Sequence, residues 1–205
     1  MKNIIFLITA LLITQNCTLL AQETKELDEL VIIAGKKKHK KLLGTGVKIS
    51  GGVTSFTPDK RGYEVGSIIR TRHTFEIEEI KFKVLSNSIK GAILGIEIYS
   101  IKNSFRKILP APLLQKLEIG EKQNISIVPE GRTIIEPGEY FVAIRFVDCE
   151  DNSQYSPENR QNYKERENIL FPLYIKKSYI RNGSSNELEK CNENIGLKVK
   201  GIEYK

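Results

Sequence analysis

The first pattern that could support catalysis is a serine followed three positions later by a lysine. Ser104 and Lys107 fit the Ser-x-x-Lys pattern, in which a lysine one helical turn away acts as the base for a nucleophilic serine. The surrounding segment has a β pattern, and the companion Ser-Asp-Asn and Lys-Thr-Gly elements do not occur in the sequence. Because the chain contains 32 lysines and arginines, such a match arises readily by chance. We therefore expect no catalytic residue.

Metal ligands are also present, but not at the spacing of a recognisable site. The segment 148–152 crowds carboxylate and amide oxygens together, as calcium requires, yet its spacing differs from that of an EF-hand loop. Zinc sites use Cys and His at close spacing, whereas His39 lies in a lysine run and His73 lies beside a predicted strand. We expect no metal ion and no cofactor.

The three cysteines allow one disulfide in the mature chain. Cys17 falls in a segment that we expect to be removed, which leaves Cys149 and Cys191. An oxidising compartment allows these two to pair, and the alternative is two separate thiols. A further alternative makes Cys17 a lipid anchor, although Thr14 stands where a bacterial lipoprotein signal usually has leucine.

The N-terminus has the order of features found in secretory signals. Lys2 precedes an apolar run over 4–13, and polar residues and Leu20-Ala21 follow. The run is shorter than the roughly 20 residues that a membrane-spanning helix needs. We expect residues 1–21 to be a signal peptide cleaved after Ala21, with no transmembrane span in the mature chain.

The chain is basic, with a formal net charge of +7, and part of this charge is concentrated in one run. The run contains Lys36, Lys37, Lys38, Lys40 and Lys41. In an exported protein we expect no nucleic-acid partner, so the functional interpretation is attraction to an anionic lipid or glycan surface or to an acidic protein face. The alternative is a solvated linker, because runs of like charge repel and extend.

Period-two alternation of apolar and polar residues dominates from residue 44 onward. The clearest example is Tyr140, Val142, Ile144 and Phe146, introduced by the turn pair Pro137-Gly138. Similar patterns occur over 75–84, 94–98, 125–127, 169–175 and 195–199. These strands predict an all-β fold, an antiparallel β-sandwich of jelly-roll or Ig-like type with about eight or nine strands. We assign 1–21 to the signal, 22–43 to an N-terminal strand and basic linker, and 44–205 to the sandwich.

Local departures from the alternation predict specific irregularities. Glu78-Glu79 shifts the phase by one residue, which predicts a bulge, and Gly201 produces the same change in a later strand. Pro172 lacks a backbone donor, so its strand should lie at a sheet edge or pair on one side only. Gly51-Gly52 predicts a tight hairpin. The polar segment 148–166 predicts a long loop.

A resemblance appears in the segment Glu26–Ala34. It reads Glu-Leu-Asp-Glu-Leu-Val-Ile-Ile-Ala and resembles the Leu-x-Glu-Val-Val-Val-x-Ala segment that closes carboxypeptidase-like regulatory domains of Bacteroidetes envelope proteins, which is similar to a TonB box. The lysines that follow extend the likeness, and the strands over 75–101 resemble the sandwich of small exported proteins of that group. The regulatory domain that usually precedes the motif and the transporter barrel that it usually serves are absent from this sequence. The resemblance implies an envelope location and no peptidase activity.

Together these features favour a noncatalytic binding or accessory module of a Gram-negative envelope, in the periplasm, at the outer membrane or on the cell surface. Its partner would be a protein, such as a TonB-type protein or an outer-membrane complex, or a glycan or anionic lipid surface. Docking by strand addition would use Leu30, Val31, Ile32 and Ile33, with the alternative that these residues form a strand of the protein's own sheet. Two other classes stay open: a hydrolase acting on an envelope polymer, and a structural component of a surface assembly.

Overall fold

Alternating apolar and polar residues along the chain form strands in the computed structural model, which describes residues 35–44, 47–102, 105–150, 167–182 and 187–205. The strands are β1 Lys38–Gly44, β2 Val47–Phe56, β3 Glu64–Thr71, β4 Thr74–Asn87, β5 Ile93–Ser100, β6 Arg106–Lys107, β7 Leu113–Lys116, β8 Gly120–Ile127, β9 Thr133–Ile135, β10 Gly138–Asp148, β11 Ile169–Arg181, β12 Glu189–Asn194 and β13 Lys198–Tyr204. One short 3₁₀ turn spans Pro58–Lys60. The all-β prediction is confirmed, although the strands outnumber the eight or nine expected.

The strands pair antiparallel in a single hydrogen-bonded network. Its main order is β1-β13-β4-β11-β3-β10-β5-β6, with β2 and β12 paired to β11, β8 and β9 to β4, and β7 to β5. Strand β4 meets β11 through two residue pairs only, Asn87 with Ile169 and Ser86 with Leu170. Strand β11 meets β3 equally narrowly, through Ile180 with Val65 and Arg181 with Glu64. Strand β11 thus links a half built on β4 to a half built on β10, and side chains of both halves share one core in a sandwich-like arrangement.

The core contains the predicted face of β10. Tyr140, Val142, Ile144 and Phe146 are all buried in the main cluster, together with apolar residues of β4, β5 and β13. Phe141, on the opposite face of β10, is also fully buried and belongs to a second, smaller cluster with Tyr99. Strand β10 is therefore covered on both faces, whereas the alternation alone predicts one buried face.

The predicted bulge in β4 is confirmed and coincides with the phase change in β13. Lys200 pairs with Glu79, and the next residue, Gly201, pairs with Ile77. Glu78 is therefore an extra residue in β4 without a counterpart in β13. The extra residue lets Ile77 and Ile80 both enter the core, where each is at most 2% exposed.

The pairing of Pro172 follows the prediction, but the hairpin predicted at Gly51-Gly52 is wrong. Pro172 pairs with Val53 of β2, and no described strand pairs with it on the other side. Strand β2 runs continuously through both glycines, and residues 49–52 stand opposite the single β11 residue Leu173. Gly51 adopts a φ of 73°, which glycine accommodates readily, so the pair forms a bulge within one strand.

The structure also revises the N-terminal boundary of the sheet. Residues 38–43, assigned from sequence to a basic linker, belong to β1 and pair with β13 along their length. Leu43 is only 9% exposed and anchors β1 to the core. The predicted signal peptide and most of the predicted loop over 148–166 lie outside the described residues. No helix in the described ranges has the length and apolar character needed to cross a membrane.

Candidate functional site

The outer face of the β1-β13-β4-β8 sheet carries lysines from three strands. In β4 and β13 the lysines alternate with buried apolar residues, so they point away from the core. Pairing in register aligns these strands with β1, whose residues 38 and 40 lie on the same outer face. We call this set the lysine face, and it comprises the exposed residues Lys38, Lys40, Lys81, Lys83, Lys198 and Lys200.

One glutamate offsets part of this positive charge. The Glu79 carboxylate lies 2.9 Å from Lys81 Nζ and 3.6 Å from Lys200 Nζ. Ser126 donates a hydrogen bond to Glu79, and this bond, together with the neighbouring lysines, lowers the pKa of the carboxyl group below its usual value. Glu79 is therefore ionised at neutral pH, and it neutralises the centre of the lysine face only.

Like charges also stand side by side on this face. Lys198 lies directly opposite Lys81 in the ladder, an arrangement that disfavours pairing between the two strands. No carboxylate among the described residues forms an ion pair with Lys198, and the same holds for Lys40 and Lys83. The face therefore keeps uncompensated positive charge on three neighbouring strands.

Some lysines of the predicted basic run make contacts within the protein, and others lie on the lysine face. Lys36 Nζ donates a hydrogen bond of 3.3 Å to Thr74 Oγ1, and Lys41 forms an ion pair with the buried Glu203. Lys37 pairs through its backbone with Lys205. Two of the predicted residues belong to the lysine face: Lys38, which also lies 5.9 Å from the Tyr204 ring centroid, and Lys40.

A bidentate ion pair closes one end of the face. Arg132 donates hydrogen bonds to both Glu76 oxygens, at 2.8 and 3.0 Å, and the Tyr204 hydroxyl donates to the same carboxylate. The bonds from Arg132 are the main reason that the pKa of Glu76 lies below its usual value, and burial opposes them. Because the pKa of this carboxyl group is lower in the folded than in the unfolded state, its ionised form stabilises the fold at pH values above the unfolded-state pKa of about 4.3. This stabilisation is lost as the pH falls through the folded-state pKa.

We expect Glu76→Gln to flatten the acid side of the pH–stability profile. At pH 7 the variant should be about 0.2–1 kcal/mol less stable than the parent, because the ion pair is partly solvent-exposed. Below the folded-state pKa this difference should disappear, since the parent carboxyl is then also neutral. Urea denaturation at several pH values between neutral and strongly acidic measures this difference. A deficit that persists unchanged at low pH would assign the effect to packing instead.

The other half of the sandwich contains a buried charged cluster that the sequence does not predict. Glu64 of β3 and Glu97 of β5 are each 1% exposed, in strands that are largely buried. Arg181 of β11 donates to both Glu64 oxygens, at distances of 2.7 to 3.1 Å. Tyr99 Oη donates to Glu64 Oε1 at 3.0 Å and itself accepts a hydrogen bond from Arg181.

The second carboxylate of this cluster is less completely satisfied. Lys107 Nζ donates to Glu97 Oε1 at 2.8 Å, and an Arg145 nitrogen lies 3.9 Å from the same oxygen. Glu97 Oε2 and Arg145 Nε, both buried, have no hydrogen-bond partner. Burial, followed by the charge of Glu64, raises the pKa of Tyr99, which keeps its hydroxyl protonated as a donor.

Within the described residues, these two carboxylates are buried and do not line an open cleft. Rings and aliphatic side chains pack around Tyr99 on this side of the sheet, among them Phe105, Tyr179 and Leu188. A small cavity of about 100 Å³ is lined by Thr54, Tyr63, Val65, Leu173, Ile180, Cys191 and Asn194, so its lining contains no carboxylate. The geometry of Glu64 and Glu97 therefore fits a structural ion-pair cluster.

The remaining predicted site residues are not brought together. Cys149 and Cys191 are not joined by a disulfide bond. Cys149 is buried after β10, and Arg61 Nη2 donates to its Sγ at 3.3 Å. Leu30, Val31, Ile32, Ile33 and Ser104 lie outside the described residues. Within the described ranges, no group of three or more His, Cys, Asp or Glu residues is placed to hold a metal ion.

Sequence reasoning missed most of the lysine face, although a signal for it was present. The segments 80–84 and 197–201 read Ile-Lys-Phe-Lys-Val and Leu-Lys-Val-Lys-Gly, so each places two lysines on the face opposite the core. The lysine run at 36–41 is recognisable in the sequence from its local density. The alternating lysines become a cluster only when β4 and β13 pair, which a local pattern does not show.

Comparisons with known proteins add little to this geometry. No protein-family model matches the chain, and no curated protein matches it. Among solved structures, the chain is similar to one in the structure of the infectious bursal disease virus Gx strain, at 9% sequence identity and a TM-score of 0.33. The match covers 82% of this chain and 32% of the viral chain, so this chain spans about a third of its length.

Proposed function

We propose that this protein is a noncatalytic binding module that recognises an anionic partner through the lysine face. The observation that carries the proposal is the position of Lys198 directly opposite Lys81. Like charges in facing positions weaken strand pairing, so this arrangement opposes folding. Glu79 offsets the charge of Lys81, whereas a negatively charged partner placed over Lys198 would offset the remaining repulsion.

The distribution of charge over the fold supports the same proposal. Glu64, Glu97 and Glu203 are buried beside cations of the protein itself, so they add little negative field outside the fold. Lys40, Lys83 and Lys198 remain exposed on one sheet face. A broad positive face raises the local concentration of anionic partners and the rate of association.

The compartment and the docking segment are part of this proposal. A signal peptide over 1–21 and the TonB-box-like segment favour an exported protein of a Gram-negative envelope, where anionic lipids and glycans are abundant. Strand addition through residues 30–33 would then be a second contact, made with an envelope protein. The hydrolase alternative needs carboxylates in an open cleft, and the buried pair Glu64 and Glu97 does not supply that arrangement.

The test is the affinity of a triple variant for heparin, used as a generic polyanion. We expect Lys40→Gln, Lys83→Gln and Lys198→Gln together to weaken binding about tenfold or more, because each lysine near an anionic surface contributes up to about 1 kcal/mol. Titration calorimetry at low and at physiological ionic strength measures the loss. The difference between variant and parent should shrink as salt is added.

A matched control separates the face from overall charge. Lys102, Lys116 and Lys177 are exposed and lie outside the lysine face, so their replacement by glutamine removes the same net charge. This control triple should keep affinity close to that of the parent. An equal loss in both triples would show that the total charge decides binding, and the lysine face would no longer be the proposed site.

A further inference from the structure

Strand β1 has a hydrogen-bonded neighbour on one edge only within the described part of the chain. It pairs with β13 from Lys38 to Gly44 and ends the main order of the sheet. Immediately before β1, Lys37 and Lys205 exchange two backbone hydrogen bonds, at 2.9 and 3.0 Å. This hydrogen-bonded pair sets the alternation along β1, because hydrogen-bonded and non-hydrogen-bonded pairs follow each other in an antiparallel ladder.

The alternation determines which backbone groups face the outer edge of β1. His39 and Lys41 continue the hydrogen-bonded series of Lys37, so their backbone groups point towards β13. The N–H and C=O groups of Lys38, Lys40 and Leu42 therefore point away from β13. These three residues also place their side chains on the outer sheet face, where Leu42 is 56% exposed. No ladder among the described strands pairs with these backbone groups, and an incoming strand would meet the backbone and the side chains of the same three residues.

We infer that β1 accepts an acidic, extended segment of a partner polypeptide as an added strand. This inference rests on the proposed function and names the class of partner that the lysine face recognises. In antiparallel register the segment would place an apolar residue opposite Leu42 and acidic residues opposite Lys40 and Lys38. The recognised pattern is therefore apolar-x-acid-x-acid, with main-chain hydrogen bonds providing affinity and the lysines providing selectivity.

Lysine and glutamate already face each other across two strands of this sheet. On the outer face of the same sheet, Lys200 of β13 stands opposite Glu79 of β4, and the two form an ion pair. A second copy of β1 is a poor occupant of this edge, because its lysines would face Lys38 and Lys40. Lysines on an exposed edge strand oppose such self-pairing in general. An acidic strand meets no such repulsion, so charge selects it over a second copy.

The test uses a synthetic peptide of sequence Thr-Val-Thr-Glu-Thr-Glu-Thr carrying a fluorophore, titrated with the purified chain. A comparison peptide has the same sequence and charge but carries an N-methyl group on the backbone nitrogen of each glutamate. Methylation removes the two N–H groups that would donate hydrogen bonds to β1. We expect the methylated peptide to bind about tenfold more weakly or worse, since two main-chain hydrogen bonds are lost. Backbone resonances of residues 38–43 should shift with the unmodified peptide only.

A substitution in the protein gives the complementary measurement. Leu42→Pro removes an N–H that points outwards, a position where an edge strand tolerates proline, and Leu42→Ala keeps that N–H. We expect the proline variant to retain its circular dichroism spectrum and lose peptide binding at least as severely as methylation does. The alanine variant should lose much less. The difference between the two variants reports the contribution of the β1 backbone, since neither substitution changes the charge.

The outcomes separate this inference from the function on which it rests. Equal binding of the methylated and unmodified peptides, or no peptide binding by a chain that still binds heparin, would overturn strand addition and leave anionic recognition intact. Binding to phosphatidylglycerol vesicles but not to the peptide would also overturn it and identify a lipid partner. Loss of heparin binding in the control triple, by contrast, would contradict the proposed function itself.

Discussion

Replacing Arg181 with alanine should lower the free energy of unfolding by about 3–5 kcal/mol. The substitution leaves Glu64, which is 1% exposed, without its guanidinium partner. An unpaired buried carboxylate is costly because it has lost its hydration on folding and no ion pair compensates for that loss. Arg181 also lies 4.9 Å from the Tyr99 ring centroid, so the variant loses this contact as well. Urea denaturation followed by circular dichroism measures the change.

Arg132 provides a matched control for this experiment. It also forms a bidentate pair with a glutamate, Glu76, but both side chains are more exposed, at 39% and 16% against 17% and 1% for the Arg181–Glu64 pair. Arg132→Ala should therefore cost about 0.2–1 kcal/mol. Equal costs for Arg132→Ala and Arg181→Ala would show that burial does not control the strength of these pairs.

A double variant tests the mechanism of the loss. Glu64→Leu combined with Arg181→Met removes both charges together, and replacing a buried ion pair by apolar residues of similar volume often costs little. The double variant should therefore be more stable than Arg181→Ala alone, although the Tyr99 hydroxyl loses its acceptor. A double variant no more stable than Arg181→Ala would show that the unpaired Glu64 carboxylate is not the source of the loss.

The local patterns of the sequence predicted much of this fold, because alternation reports the face that each strand buries. The core face of β10 and the bulge at Glu78 both follow from which residues need to reach the core. The Gly51-Gly52 pair illustrates the limit of this reasoning. Glycine permits a positive φ, but the same backbone freedom serves a hairpin or a bulge, and pairing with β11 selects the bulge.

The candidate site was less predictable because it depends on distant pairings. Lys81 and Lys198 meet only after β4 and β13 align, and no local signal encodes that register. The burial of the Glu97 carboxylate also depends on how distant strands pack. Glu97 occupies the polar phase of an alternating strand, so the sequence predicts an exposed side chain, whereas the protein covers both faces of β5. The basic run at 36–41 predicted a positive segment, but the sequence did not show that residues 38–41 belong to the edge strand β1.

The core that joins the two halves should be equally sensitive to truncation. Phe56 of β2 is 1% exposed and contacts three other rings, Tyr63, Phe146 and Phe171, at centroid distances of 6.0, 5.9 and 5.2 Å. We expect Phe56→Ala to cost about 3–5 kcal/mol, because the cavity removes these contacts and the surrounding strands relax only partly. Phe56→Leu keeps most of the volume and should cost clearly less.

Thermal and urea unfolding measure the stability of both Phe56 variants, with Ile119→Ala as an exposed control. Ile119 is 62% exposed, so its truncation should change stability by no more than about 0.5 kcal/mol. A cost for Phe56→Ala as small as that for Ile119→Ala would mean that the aromatic cluster is not a tightly packed part of the core. A large cost with an unchanged urea m-value would show that one cooperative unit includes β2 and the strands against which Phe56 packs, because the m-value follows the surface exposed on unfolding.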